Sequence, residues 1–264
     1  MFTVEVVSVG NELLNGRTAN TNLQWIGGRV YALGGWIRRA VTVPDVLEEI
    51  EAVIGEVLSR KPDLIITTGG LGPTYDDRTL EGVAKAIGRR LVLNEEALRM
   101  IEGRLQELYE KGYIESPRVD RVRKKMAFLP EGAKPLFNRV GTAPGVLLSH
   151  DGVRIACLPG VPAEMKDIFD SYVVGLISRE EAPVFEVVYE VRGLPEAKIA
   201  PFVERLANRH PRFYVKSHPK GFEGESLIEI QIKGRGEGLL KELDEVVMEI
   251  EGELRNSNAK FKRK

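Results

Sequence analysis

The chain has 264 residues, of which 43% are hydrophobic, 38 are basic and 39 are acidic, so its formal net charge is −1. This balance gives no overall field for nucleic acid or an anionic membrane, while the apolar content is ample for one large domain or two modest ones. A single cysteine, Cys157, excludes a disulfide framework, and no stretch approaches the roughly 20 apolar residues of a membrane span.

The first two-thirds of the chain alternate apolar strands with amphipathic helices. This order predicts an α/β domain over residues 1–178, with a layered, mostly parallel sheet. The predicted strands are 3–9, 36–43, 63–68, 127–129, 145–149 and 153–158. The predicted helices are 20–33, 46–60, 78–87, 95–109, 117–125 and 162–177. Asp45 is predicted to cap the second of these helices, and Asp151 with Gly152 predicts a β-hairpin turn.

A charged stretch with a proline at residues 178–183 predicts a boundary, followed by a smaller α+β domain over residues 183–255. Its pattern is βαββα. The predicted elements are strand 184–191, helix 196–208, strand 212–217, strand 227–233 and helix 238–254. Residues 256–264 are rich in lysine and arginine and are predicted to be a disordered basic tail.

The segment that follows the third predicted strand carries the strongest functional signal. Residues 67–79 read Thr-Thr-Gly-Gly-Leu-Gly-Pro-Thr-Tyr-Asp-Asp-Arg-Thr. Glycines let backbone N–H groups approach an anion, and the following helix would direct its positive end at that anion. Asp76 and Asp77 would repel a phosphate unless a divalent cation lay between them, so they predict a joint phosphate and metal site. The alternative is a tight turn with one aspartate capping a helix.

Three further loops are predicted at strand ends, where open parallel sheets bind their ligands. Glu12 would add a third carboxylate to the cation site, unless it is a solvated loop residue. Asn138, Thr142 and the backbone at Gly141 suit a sugar, a base edge or a phosphate, and they equally suit a turn. The Pro-Gly-Val-Pro segment at 159–162 predicts a rigid turn into a helix whose free N–H groups face the cavity.

Other catalytic arrangements are not predicted. The three histidines lie far apart with no carboxylate or cysteine at ligand spacing, which argues against a histidine zinc site. The chain has no Gly-x-Ser-x-Gly elbow and no plausible cysteine–histidine dyad, which argues against acyl-transfer hydrolysis. Metal-assisted chemistry is the route that remains.

In these four loops the sequence resembles the CinA family, whose N-terminal domain belongs to a wider molybdopterin-binding group that includes MogA, MoaB, MoeA and gephyrin. The matching segments are 9–16 with Asn22, 68–79, 138–145 and 158–165, and they occur in the family's order. The resemblance implies a MogA/MoaB-like first domain that binds a pterin phosphate or a nucleotide. The residues that it implies for substrate binding are Gly10, Asn11, Asn22, Asp45, Thr68, Gly69, Gly70, Leu71, Gly72, Pro73, Thr74, Thr79, Asn138, Gly141, Thr142, Pro159, Gly160, Pro162 and Glu164.

The activity that the resemblance implies is hydrolysis of a nucleotide diphosphate sugar, ADP-ribose, by a pyrophosphatase that depends on magnesium, manganese or cobalt. Asp76, Asp77 and Glu12 would be the catalytic and metal-binding residues, with Asp45 or Asp77 near the metal. One alternative is a molybdopterin-binding protein or molybdopterin-nucleotide transferase, with molybdopterin as its cofactor. Another is a nucleotide-binding scaffold without turnover. Leu71 replaces the Thr or Val usual in molybdenum-pathway relatives, which favours a nucleotide sugar.

The second domain resembles the KH-like module of CinA proteins. The segment Gly221-Phe222-Glu223-Gly224 fits the Gly-x-x-Gly motif of RNA-binding KH domains. It falls between two predicted strands, where it would form a hairpin turn, so packing or dimerisation is favoured over RNA binding. Longer family members add an amidohydrolase domain that deamidates nicotinamide mononucleotide, and this chain is expected to lack that activity.

The expected partners are therefore a small-molecule nucleotide or pterin phosphate and further copies of the same chain. Neither a membrane nor a nucleic acid partner is expected. The apolar N-terminal strand predicts a cytoplasmic protein without a signal peptide. The abundance of Glu, Lys and Arg, with only three glutamines, is typical of proteins from hot environments.

Overall fold

The protein divides into two compact units, Met1–Arg179 and Glu180–Lys264. The structure, a computed structural model, describes residues 2–177, 184–220, 227–236, 238–257 and 259–264. The Gly-x-x-Gly segment at 221–224 lies outside the described residues. Within the described part of the chain, none of the helices has the length and apolar character needed to cross a membrane.

The first unit is built on a six-stranded sheet. The described part of this unit has eight strands, six of them in that sheet: β1 (Phe2–Val9), β2 (Gly35–Val43), β3 (Leu64–Thr68), β4 (Leu91–Leu93), β5 (Phe128–Pro130), β6 (Lys134–Leu136), β7 (Gly145–His150) and β8 (Val153–Leu158). The sheet order is β2-β1-β3-β8-β7-β6, and β4 pairs separately with β5. The first four strands of that order are parallel, whereas β7 pairs in antiparallel fashion with both of its neighbours, β8 and β6. The predicted α/β fold with a mostly parallel sheet is confirmed.

Eight α-helices connect these strands in the described part of the first unit. They are α1 (Asn11–Leu14), α2 (Thr21–Ala32), α3 (Leu47–Ser59), α4 (Thr79–Ala86), α5 (Glu95–Glu110), α6 (Arg121–Lys124), α7 (Pro162–Ile168) and α8 (Val174–Ile177). A 3₁₀ turn over Lys125–Ala127 follows α6, and a π-helical turn over Phe169–Val173 joins α7 to α8.

Two local predictions in this unit are wrong. The helix predicted over 117–125 begins only at α6, because the Asp120 side chain accepts a hydrogen bond from the Arg123 N–H and so caps the helix there. Asp45 does not cap α3, which begins after Val46 without a side-chain cap. The Asp45 carboxylate instead accepts a hydrogen bond from the Asn11 N–H at 2.8 Å, which ties the end of β2 to the loop after β1.

Helices bury both faces of the sheet. Along β1, Val4 and Val6 belong to one apolar cluster while Val7 and Val9 belong to the other, since successive side chains point to opposite faces. Such continuous apolar runs are typical of buried parallel strands. The hairpin between β7 and β8 turns at Asp151 and Gly152, which have φ values of +47° and +84°, as the Asp-Gly pair predicts.

The second unit is a four-stranded antiparallel sheet with its own apolar core. Its elements are β9 (Val184–Arg192), α9 (Glu196–Arg209), β10 (Phe213–Pro219), β11 (Leu227–Arg235), α10 (Leu239–Asn256) and β12 (Lys260–Arg263). The sheet order is β10-β11-β9-β12, a split βαβ arrangement.

The basic tail, which the composition of residues 256–264 predicts to be disordered, forms strand β12, so that prediction is wrong. The strand pairs with β9 from Lys260 opposite Arg192 to Arg263 opposite Tyr189. Phe261 makes an edge-on contact with the buried ring of Tyr189, at 6.1 Å between ring centroids. The backbone pairing and this aromatic contact favour order over the solvation of a short charged segment.

Candidate functional site

A cleft of about 480 Å³ lies where the strand order of the large sheet reverses. From β1 the chain crosses to β2 on one side, whereas β3 lies on the other side. Loops at the carboxyl ends of such strands diverge and leave a crevice, which is where open α/β sheets bind ligands. The volume is in the range of small-molecule sites.

Most of the predicted site residues face this cleft. Those that line it are Gly10, Glu12, Asp45, Gly69, Gly70, Leu71, Gly72, Pro73, Thr74, Asp76, Asp77, Thr142, Pro159, Gly160 and Glu164. Five separate loops therefore converge, and Glu12 and Asp77 share one cavity as their proposed joint role requires. The predicted residues that are not among the lining residues are Asn11, Asn22, Thr68, Thr79, Asn138, Gly141 and Pro162.

The glycine loop after β3 passes very close to neighbouring backbone. Gly69 has a φ of +95°, and a Cβ there would lie 2.2 Å from the carbonyl oxygen of Val9. Gly70 has a φ of +66°, and its Cβ would lie 2.2 Å from the Oγ1 of Thr79. Thr79 is fully buried and donates a hydrogen bond to the Gly69 carbonyl at 2.8 Å. Thr79 therefore holds the loop from behind the cleft.

The two aspartates of this loop are bound to Thr74. The Asp77 carboxylate accepts hydrogen bonds from the Thr74 N–H at 2.8 Å and from its hydroxyl at 2.6 Å. The same hydroxyl contacts Asp76, and this hydrogen bond holds the pKa of the Asp76 carboxyl below its usual value. A Cβ on Gly72 would lie 2.6 Å from the Asp77 carboxylate, so a side chain at this position would displace that carboxylate.

The carboxylates of the cleft influence one another. Burial raises the pKa of the Asp45 carboxyl above its usual value, although the hydrogen bond from the Asn11 N–H opposes this shift. The negative charges of Glu12, Asp76 and Asp77 raise the same pKa further. A divalent cation would relieve this repulsion.

The donor set fits a hard cation, because every one of these groups is a carboxylate. Among the described residues, no group of three or more His, Cys, Asp or Glu is arranged to hold a metal by itself. Oxygen atoms of a bound ligand and of water would therefore have to complete the coordination, as is usual for magnesium.

Two cationic residues at or beside the cleft carry no sequence motif. Arg123 lines the cleft. Lys125 lines a separate small cavity of about 60 Å³ beside the glycine loop, and its ammonium group contacts the carbonyl oxygen of Thr74. Burial lowers the pKa of Lys125, while the charges of Asp77 and Asp76 oppose the shift. The basic run at 121–125 is the signal that could have identified both residues.

A smaller cavity of about 80 Å³ adjoins the cleft and contains three more of the predicted residues, Asn22, Thr68 and Pro162. The Asn22 amide donates to the Gly160 carbonyl at 2.7 Å, and its own amide oxygen is buried without a hydrogen-bond partner. Asn22 therefore positions the loop at 159–162, and its free acceptor lies close to the cleft.

The sequence and the fold are similar to known proteins. Residues 5–179 match the family described as "Probable molybdopterin binding domain". A protein from Pyrobaculum arsenaticum is 45% identical over 255 residues, which cover 93% of each chain. A protein from Metallosphaera sedula is 43% identical over 240 residues, which cover 90% of this chain and 87% of the relative.

Among solved structures, the crystal structure of the protein CinA "with unknown function" from Thermoplasma acidophilum is similar, at 39% sequence identity. The likeness covers 66% of this chain and 98% of that chain, with a TM-score of 0.59.

Proposed function

Because the chain belongs to the family of probable molybdopterin-binding domains, we propose that its cleft binds a phosphate-bearing pterin together with a divalent cation. The family match and the likeness to CinA confirm the molybdopterin-binding group that the sequence motifs predict. The observation that carries the proposal is the convergence of the glycine loop at 69–72 with Glu12, Asp45, Asp76 and Asp77 on one cleft.

The glycine loop supplies the anion-binding part of this proposal. Residues 69, 70 and 72 have no side chains, so a ligand can approach the loop backbone without steric hindrance. A phosphate placed there would be repelled by Asp76 and Asp77. A bound cation would neutralise phosphate and carboxylate charge together, and Glu12, Asp45, Asp76 and Asp77 are the residues that would hold it.

The binding claim can be tested by calorimetry with neopterin monophosphate. With Mg²⁺, Mn²⁺ or Co²⁺ present we expect saturable binding, and with EDTA we expect a large loss of affinity. Asp77→Asn keeps an acceptor for the Thr74 hydrogen bonds but removes the charge, so it should weaken binding by at least about tenfold. Asp151→Asn, in the exposed hairpin turn, is the matched control. Equal affinity with and without metal, or in Asp77→Asn, would contradict the proposal.

A second candidate function is hydrolysis of ADP-ribose, and the acidity of the cleft favours it. Among the described lining residues the carboxylates are Glu12, Asp45, Asp76, Asp77 and Glu164, and the one cationic side chain is Arg123. These carboxylates outnumber the ligands that one cation beside one monophosphate requires. They could hold more than one cation, and a diphosphate, which carries more negative charge, would need such additional cations. One carboxylate could accept the proton of the attacking water.

In that reaction, water would attack one phosphorus of the diphosphate and the P–O–P bond would break, which yields AMP and ribose 5-phosphate. Chromatography of ADP-ribose incubated with the wild type and each metal should then show AMP. Asp77→Asn should form none, and Asp151→Asn should be fully active. Absence of AMP with every metal, in a protein that binds neopterin monophosphate, would leave binding as the function and remove hydrolysis.

A further inference from the structure

Glu164, at the start of α7, is a cleft carboxylate that lies outside the proposed cation site. Asp45 interacts electrostatically with Glu12, Asp76 and Asp77. Burial raises the pKa of Glu164, and the groups that act on it in the opposite direction are Asn138 and Arg104. Glu164 is half-buried and lines the cleft. Glu164 is therefore not one of the residues that would hold the cation.

The Glu164 carboxylate is held by a buried asparagine. Asn138 is 3% exposed and donates from its amide to Glu164 at 2.6 Å and to the Ala143 carbonyl at 2.8 Å. Its amide oxygen accepts from the N–H groups of Val140 at 3.0 Å and Gly141 at 2.7 Å. A side chain with every polar group bonded has little freedom, so Asn138 fixes the position of the Glu164 carboxylate.

The carboxyl group of Glu164 packs against Gly141. A Cβ on Gly141 would lie 2.2 Å from one carboxylate oxygen of Glu164 and 2.5 Å from the other, so the carboxyl group rests directly on the glycine. The Arg104 guanidinium donates to the carbonyls of Gly141 at 3.2 Å and Val140 at 2.7 Å. This arginine therefore fixes the loop at 140–141 on which the carboxyl group of Glu164 rests, and Glu164 itself is one of the residues that line the cleft.

A fixed carboxylate is a specific acceptor for two neighbouring N–H donors. It carries about four lone-pair sites, and the hydrogen bond from Asn138 occupies one of them. A 2-amino-4-oxo ring, as in pterin or guanine, presents a ring N–H beside an amino group and matches a carboxylate in a bidentate manner. Adenine presents one donor beside an acceptor, and that acceptor would face a negative oxygen.

We propose that Glu164 is the specificity-determining residue that selects ligands with a 2-amino-4-oxo ring edge, an inference that rests on the proposed phosphate site. The ring would lie against the loop at 138–142 while the phosphate lies at the glycine loop. Loss of one donor to a charged acceptor in a desolvated site costs at least about tenfold in affinity. The site would therefore discriminate against adenine nucleotides, so this inference extends the proposed pterin site and opposes the second candidate, hydrolysis of ADP-ribose.

The test uses GMP and IMP, which differ only in the 2-amino group, with AMP as the third ligand. Calorimetric titrations of the full chain with Mg²⁺ should show that the wild type binds GMP at least about tenfold more tightly than IMP, with AMP no tighter than IMP. In Glu164→Gln the ratio of GMP to IMP affinity should fall towards one, because the amide offers only one acceptor oxygen. Because the glutamine oxygen can still accept the hydrogen bond from Asn138, Glu164→Gln should keep the wild-type melting temperature, and thermal unfolding checks this.

The control is Asp167→Asn, one turn further along α7, where the carboxylate pairs with Arg139 and does not line the cleft. This variant should keep the wild-type ratio. Equal wild-type affinity for GMP, IMP and AMP would overturn the role of Glu164 while the phosphate site stands. Failure of every mononucleotide and of neopterin monophosphate to bind would overturn the proposed function, and the role of Glu164 with it.

Discussion

Gly70 is a residue where backbone conformation and space are both restricted. Its φ of +66° is unfavourable for any residue with a Cβ, and a Cβ would collide with the Thr79 side chain. Thr79 in turn holds the carbonyl of Gly69. The resemblance implies direct binding by Thr79, whereas the structure places it behind the loop, where it acts on the cleft through the backbone.

Replacement of Gly70 by alanine should therefore be costly. We expect Gly70→Ala to lower the free energy of unfolding by about 2 kcal/mol or more, from left-handed strain plus displacement of Thr79, and to weaken phosphate binding. Gly55→Ala is the matched control, because Gly55 lies within α3 with no atom within 4 Å of its added Cβ. It should raise the free energy of unfolding by roughly 0.5–1 kcal/mol. Urea unfolding measures both, and shifts in the same direction would contradict the restriction at Gly70.

Asp45 binds a partner that is distant in sequence and does not cap the helix that follows it. An aspartate directly before a helical pattern is a good predictor of a cap, and here it is not the cap. The competing partner is the N–H of Asn11, which the parallel pairing of β1 with β2 brings within 2.8 Å. Neither the sequence position of Asp45 nor that of Asn11 contains this information.

Among the secondary-structure elements, β12 departs most from the sequence expectation. Three of its four residues are basic and the fourth is Phe261, and the neighbouring Lys264 pairs with Glu190 and Glu229, at 3.3 and 3.4 Å. A short strand rich in lysine is typical of a protected sheet edge. Composition alone indicates a solvated tail. The strand forms because the edge of β9 is available for pairing and because Phe261 contacts Tyr189, and both partners are distant in sequence.

Phe261→Ala tests whether β12 contributes to the stability of the second unit. Loss of a half-buried ring against Tyr189 should lower its free energy of unfolding by about 2 kcal/mol, less than for a fully buried phenylalanine. Lys262→Ala, an exposed position on the same strand, should change it by no more than about 0.5 kcal/mol. Hydrogen exchange of the backbone amides of β9 measures this change. Equal protection of these amides in both variants would show that Phe261 in β12 does not stabilise the second unit.

At the scale of the whole molecule, each unit has its own core. The two clusters that cover the large sheet lie within the first unit, and the third cluster lies within the second. The residues that line the cleft fall between Val9 and Glu164, within the first unit. Each unit is therefore expected to fold by itself.

A fragment of residues 1–179 should accordingly retain the binding site. We expect it to unfold cooperatively and to bind neopterin monophosphate with an affinity within about threefold of the full chain. Circular dichroism and calorimetry would test the two expectations separately. A folded fragment without affinity would show that residues 180–264 contribute to the site.

The sequence by itself determined the α/β order of elements, the glycine loop at 69–72 and the acidic character of the site. These properties are local, since apolar periodicity, glycine spacing and adjacent aspartates are read within a few residues. Tertiary structure alone decided that Glu12, Asp45 and Asp77 share one cleft, that Arg123 lines it, and that residues 260–263 pair with β9. These properties depend on strand order and register, which bring together residues that are distant in sequence.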